Sequence, residues 1–211
     1  MVVLSRGDRG EPVKALQRCL HLYEDGIFGP MTEDAVRQYQ REHGLRVDGV
    51  VGLATWDSLG VHPWMRVSAI AVRKSKRRID EIIVHCSATA EGKHYAVEDI
   101  RKWHKAQGWS DIGYHYVVYL DGAIHEGRDV DVSGAHCTNH NSRSIGVCYI
   151  GGVAKDGKTP KDTRTEMQKE SLLFLLKELR KKYPNAKIYG HRDFARKACP
   201  SFDAKTEYKD I

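Results

Sequence analysis

Apolar and polar positions follow two different rhythms along the chain, and the change of rhythm divides it. In the first sixty residues the apolar positions recur at helical spacing. Val13, Leu16 and Leu20 make one face of a helix that begins near Pro12, a residue well tolerated in a first turn. Ala35, Val36, Tyr39 and Gln40 make another, with Thr32 as its expected N-cap and Glu33 and Asp34 as acids suited to a first turn. Beyond residue 78, short apolar runs alternate with longer periodic segments. "EIIVH" predicts a buried strand ending in His85, and "VEDIRKWHKAQGW" a helix with Val97, Ile100, Trp103 and His104 on one face, closed by Gly108. "HYVVYLDGAIHEG" predicts a hairpin turning at Asp121 and Gly122, and "SIGVCYIGG" a second buried strand. "TEMQKESLLFLLKELRKKYP" predicts the clearest helix. Thr165 and Gln168 form its capping box, Leu172, Leu173, Leu176 and Leu179 its apolar stripe, and Pro184 ends it. "AKIYGH" is a last strand, ending in His191. The pattern predicts an α/β domain, a mixed sheet flanked by helices, preceded by a small three-helix all-α domain.

The helical part carries an internal repeat. "DGIFGPMT" starts at Asp25 and "DGVVGLAT" at Asp48, twenty-three residues later. Each Asp-Gly pair supplies a turn that needs a positive φ, and each Thr stands where an N-cap is expected. The boundaries expected from these signals are residues 1–60 for the first domain, 61–78 for a basic linker and 79–211 for the second domain. The linker ends in "VRKSKRR", five positive charges and no negative one, a run that reads as solvated.

Composition narrows the picture. The 211 residues are 41% hydrophobic and 29% charged, which suits globular domains with real cores. No window approaches the length of a membrane span. The apolar run in "MVVLSRGDRG" is too short for a secretory signal, so synthesis in the cytoplasm is expected. Lys and Arg outnumber acids 34 to 28, an excess that favours polyanions without naming one. A nucleic-acid partner is not expected, because no recognition motif accompanies the charge. Monomer is the default oligomeric state. Five Cys with no CxxC pair exclude a complete disulfide framework. Cys19, Cys86, Cys137 and Cys148 lie in apolar or strand-like surroundings and read as small core residues.

Cys199 differs, because it follows His191 by eight residues in "GHRDFARKACPSF", a stretch too broken for a helix. Two strands thus end in His, with a Cys after the second. Imidazole and thiolate are the donors zinc prefers, and three protein ligands with a fourth position open make a catalytic arrangement. Spacing alone does not decide between a metal site and an ordinary loop, since the chain has 11 His. The HExxH pattern is absent.

Two resemblances add to this reading. "RGDRGEPVKALQRCL", "DGIFGPMTEDAVRQYQREHGL" and "DGVVGLATW" resemble the peptidoglycan-binding domain found on many bacterial and phage wall hydrolases. "IIVHCSAT", "IRKWHKAQGWSDIGYHYVV", "DGAIHEGRDVDVSGAH", "HNSRSIGVCYIGG" and "GHRDFARKACPSFD" resemble the type 2 N-acetylmuramoyl-L-alanine amidases, especially short phage lytic enzymes. The second resemblance implies one zinc ion per chain, held by His85, His191 and Cys199. It implies catalytic roles for Tyr114 and Lys197 and a substrate contact for His136. The partner it implies is peptidoglycan, cut between N-acetylmuramic acid and L-alanine by an endolysin that acts on the wall after release from the cytoplasm. A non-catalytic recognition protein of the same superfamily and a wall-recycling amidase are the alternatives. His115 is expected on the face opposite Tyr114, His104 packed on its helix, and Asp193 and Glu126 structural.

Overall fold

The computed structural model describes residues 3–60 and 72–211. They belong to two compact units, described separately.

The first unit has three helices, α1 (Glu11–Cys19), α2 (Pro30–Glu42) and α3 (Leu53–Leu59). They close over Leu4, Val13, Leu16, Phe28, Val36, Val51 and Trp56, all buried. The N-caps are Gly29 and Gly52, so Thr32 and Thr55 stand third in their helices and are not the caps expected of them. Each Thr instead receives a glutamine from the helix before. Gln17 Nε2 donates to Asp25 Oδ1, Ile27 O and Thr32 Oγ1 at 2.7, 3.1 and 3.3 Å, and Gln17 Oε1 accepts from Gly26 N at 2.9 Å. Twenty-three residues on, Gln40 Nε2 donates to Asp48 Oδ1, Val50 O and Thr55 Oγ1 at 3.1, 2.9 and 3.2 Å, and its Oε1 accepts from Gly49 N at 3.0 Å. The repeat is therefore a duplicated polar lock, each copy tying a helix to the following turn. Gly26 and Gly49 both have φ +71, which the turn requires.

The second unit is built on a five-stranded sheet. In chain order its elements are β1 (Glu81–Cys86), β2 (Thr89–Ala90), α4 (Val97–Ala106), β3 (Tyr116–Val118), β4 (Ile124–Glu126), β5 (Ser144–Tyr149), β6 (Gly152–Val153), α5 (Glu166–Lys182), β7 (Lys187–Gly190) and α6 (Ala204–Glu207). The strand order is β4-β3-β5-β1-β7, with β4 antiparallel to β3 and the other pairs parallel. Strands β2 and β6 form a separate two-stranded sheet. All six residues of β1 are buried, as a central strand covered on both faces demands. Ile82 and Val84 share a core with Leu172, Leu175, Leu176 and Leu179 of α5. That stripe runs i, i+3, i+4, i+7; Leu173, expected on it, is one position off the axis of the face and 38% exposed. The Thr165 capping box is present, with Thr165 Oγ1 accepting from Gln168 N at 3.0 Å. Helix α4 contributes Val97 and Ile100 to a second cluster with Val117 and Ile150. The sheet is mixed and flanked by helices, as the alternation of periods predicted.

Residues 61–71 of the expected linker lie outside the described residues. Residues 72–78 pack on the second unit, because their polar groups find partners there. Val72 is buried, Ser75 Oγ donates to Val130 O at 2.7 Å, and Lys76 N donates to Asp131 Oδ1 at 2.6 Å. Arg77 donates to Val130 O and Ser144 O at 2.8 and 3.2 Å. Part of the basic run is thus structural cement.

Candidate metal centre and active site

The parallel pairing of β1 with β7 brings the two strand-end histidines together. Val84 lies opposite Gly190, so His191, the next residue, leaves the sheet beside His85. Their ring centroids are 4.7 Å apart. His191 itself begins a single 3-10 turn, His191–Asp193, closed by Asp193 Oδ2 accepting from Gly190 N at 2.8 Å. The chain then returns through "FARKA" and brings Cys199 under the end of β1. Cys86 N donates to Cys199 Sγ at 3.3 Å, and Cys199 Sγ lies 3.7 Å from His85 Nδ1. Ligand atoms of His85, His191 and Cys199 all lie within 4.8 Å of one another, a group that could hold a metal ion.

The other predicted residues surround this group. The Tyr114 ring centroid is 5.1 Å from that of His85. Lys197 is exposed and lines a cavity of about 300 Å³ together with His191, Trp109 and Asn141. His136 reaches the wall of the same cavity, yet it is 7% exposed and its Nδ1 is 3.0 Å from His85 Nε2. His115 is fully buried just before β3, with Gly146 N donating to its Nδ1 at 2.9 Å and its Nε2 3.1 Å from Val132 O. His104 is buried, and its Nδ1 accepts from Gly113 N at 2.9 Å. It holds the segment that carries Tyr114. Glu126 is exposed and lines a different cavity with Arg73 and Arg128. A larger cavity of about 430 Å³, at the start of β7 near Lys187 and Lys205, contains none of the predicted site residues.

Burial and neighbouring positive groups disfavour charge on these imidazoles, and the neutral form is the one that binds metals. Burial, then the neighbouring His136 and His191, hold His85 well below the usual histidine range. Burial and then His115 do the same to His136, and burial followed by the Lys197 charge lowers His191. Burial pushes His115 down to about 4. Burial holds the Tyr114 hydroxyl protonated well above the usual tyrosine range. The Cys199 thiol is pushed up by its hydrogen bond with Cys86 and by burial. A cation among the three donors acts in the opposite sense, favouring thiolate.

All five cysteines are free thiols. Cys86, Cys137 and Cys148 are buried as expected; Cys19, on the last turn of α1, is half-buried. Trp109, Asn141 and Ser144 had no sequence signal. Trp109 and Asn141 reach the site from outside the strands and Ser144 from the first position of β5, approaches that only the tertiary fold sets.

Known proteins agree with this architecture. The family described as N-acetylmuramoyl-L-alanine amidase matches residues 75–202, and the peptidoglycan binding domain family matches residues 9–59. The endolysin of Klebsiella phage KP32 is 45% identical over 130 residues, 62% of this chain and 85% of that protein. The endolysin of Escherichia phage T7 is also 45% identical, over 63% of this chain and 87% of its own length. Among solved structures, the N-acetylmuramoyl-L-alanine amidase LysC from Clostridium intestinale superposes with a TM-score of 0.53 at 27% identity. It covers 63% of this chain and 83% of its own. Drosophila PGRP-LB gives a TM-score of 0.54 at 25% identity, over 66% of this chain and 85% of its own.

Proposed function

The chain belongs to the N-acetylmuramoyl-L-alanine amidase family, and from that membership we propose a modular peptidoglycan hydrolase of the endolysin kind. It cuts the amide between the lactyl group of N-acetylmuramic acid and the L-alanine of the stem peptide. In this reading residues 79–211 form the catalytic domain and residues 1–60 hold the polymer. The observation that carries it is the convergence of His85, His191 and Cys199 donors within 4.8 Å, beside an open cavity.

The donor set suits zinc. Ligand bonds of roughly 2.0–2.3 Å at tetrahedral angles put a nitrogen and a sulfur about 3.5 Å apart, and Cys199 Sγ lies 3.7 Å from His85 Nδ1. Two imidazoles and a thiolate leave a fourth position for water or substrate, the catalytic rather than the structural pattern. Zinc held there supplies Lewis acidity, which readies water near neutral pH and polarises the carbonyl under attack.

The chain's own groups handle charge and protons. Hydrolysis joins the water oxygen to the lactyl carbonyl carbon, breaks the carbon–nitrogen bond and leaves a carboxylic acid and the amine of L-alanine. The carbonyl oxygen gains negative charge on the way. Lys197, on the cavity wall beside His191, supplies a compensating cation. Tyr114, its ring packed beside that of His85 and its hydroxyl held protonated by burial, serves to orient the water or to pass a proton toward the leaving amine. The peptidoglycan-binding unit raises the local concentration of this site at its polymer.

The test is digestion of purified sacculi with products identified by mass spectrometry. The parent chain is compared with chelated, zinc-restored and Cys199→Ser samples. Free stem peptides starting at L-alanine, lost on chelation and in the variant, are the expected result. Binding to sacculi with no cleavage after zinc is restored overturns the hydrolase reading and leaves a recognition protein.

A further inference from the structure

Behind His85 a second imidazole is held in one orientation. His85 turns Nδ1 toward Cys199 Sγ at 3.7 Å and Nε2 toward His136 Nδ1 at 3.0 Å. An imidazole that offers one nitrogen to a metal carries its proton on the other. Nε2 of His85 is then the donor, and His136 Nδ1 must accept. A neutral imidazole that accepts at Nδ1 has its proton on Nε2, and that nitrogen of His136 faces Ser144 Oγ at 3.3 Å. Each tautomer in the row follows from the one before.

The fold spends several residues on keeping the His136 ring there. Asn141 Oδ1 accepts from the backbone amides of both His136 and Cys137, at 2.8 and 2.9 Å. A Cβ on Gly134 or on Gly146 would stand 2.4 or 2.5 Å from His136 Cδ2, so both neighbouring segments must be glycine for the ring to fit. Ser144 is fully buried, and Arg77 donates to its carbonyl at 3.2 Å. A side chain 7% exposed, with both ring nitrogens facing protein partners, has little left to offer a substrate.

We infer that His136 is a positioning residue: its Nδ1 fixes the tautomer and ring plane of the metal ligand His85, and Ser144 Oγ fixes His136 in turn. This differs from the substrate contact expected of His136 from sequence, and it rests on the zinc reading of His85, His191 and Cys199. Outer partners of this kind typically contribute 10- to 100-fold in metal affinity.

The test is zinc affinity of the full chain, by competition with a chromophoric chelator, alongside kcat and KM at saturating zinc. His136→Leu removes the acceptor and is expected to weaken zinc binding 10- to 100-fold with KM nearly unchanged. His136→Asn puts an amide oxygen close to the position of Nδ1 and should restore most of the affinity. Gly146→Ala alters no ligand but crowds the ring, and should weaken zinc binding as well. Imidazole 15N spectra of the zinc-loaded parent should show His136 protonated at Nε2. Zinc affinity of His136→Leu within twofold of the parent, with a raised KM, overturns the inference in favour of substrate contact. Equal losses in the Leu and Asn variants reduce His136 to packing, and protonation at Nδ1 also sinks the relay. Unchanged zinc affinity in Cys199→Ser marks failure of the zinc reading itself, and the relay falls with it.

Discussion

Lys197 carries its charge on a cavity wall, in a stretch outside helix and strand but two residues from Cys199, whose position the end of β1 fixes. In the proposed reading this sets a cation beside one of the metal's ligands, where it can offset the charge of a developing oxyanion. Lys197→Ala should therefore lower kcat on a soluble muropeptide by roughly 100- to 1000-fold, with zinc affinity and KM close to the parent values. A loss expressed mainly in KM would move Lys197 from transition-state stabilisation to substrate binding. At this scale the sequence was legible where chemistry is local. His85 and His191 could be read to within a residue of the strand ends, although β1 runs on to Cys86 and β7 stops at Gly190. The pairing of His85 with His136 could not, since it depends on Gly146 of β5 leaving room for a ring from a loop ten residues earlier. Thr32 and Thr55 misled for a related reason: Gly29 and Gly52 can cap without a side chain, which frees each Thr to receive a glutamine.

Among the elements, the two glutamine locks show what the repeat is for. An isolated helix as short as α3 is marginal in water, so each turn must be tied to the helix before it. Gln40 does this with four hydrogen bonds from a side chain 1% exposed. Gln40→Leu keeps comparable bulk but leaves Gly49 N without its acceptor and Val50 O without this donor. The expected cost is about 1–3 kcal/mol, the range for stranding buried polar groups. Hydrogen exchange should show faster exchange at Gly49 and Val50, with Gly26 and Ile27 in the other copy and the β1–β5 ladder unaffected. Loss of protection across both copies at once would mean that the locks act as one cooperative unit. The longest helix shows the complementary lesson. Its start was readable from a capping box that acts within four residues, whereas the rotation that chooses Leu175 over Leu173 is set by where the sheet lies.

For the whole molecule, the division of labour follows from what each unit lacks. The described part of the first unit carries no cluster of metal-ligating groups, while the second gathers His85, His191 and Cys199, with a cavity lined by His191 and Lys197. The two phage endolysins compared above are 45% identical to 62–63% of this chain, a stretch that spans 85–87% of their own lengths. The matched stretch is therefore nearly the whole of those proteins and is too long to lie within the first unit, which supports a second unit that folds without the first. If residues 1–60 act only as a grip, deleting them should leave turnover of a soluble muropeptide within about twofold. On intact sacculi at low enzyme concentration the rate should fall on the order of 100-fold, since a tether of this kind multiplies apparent affinity without touching the chemistry. Raising the enzyme concentration should then recover the rate, because effective concentration is all that was removed. A deletion that slowed the soluble substrate equally would mean that the first unit shapes the catalytic site, and the modular reading would have to give way to a composite one.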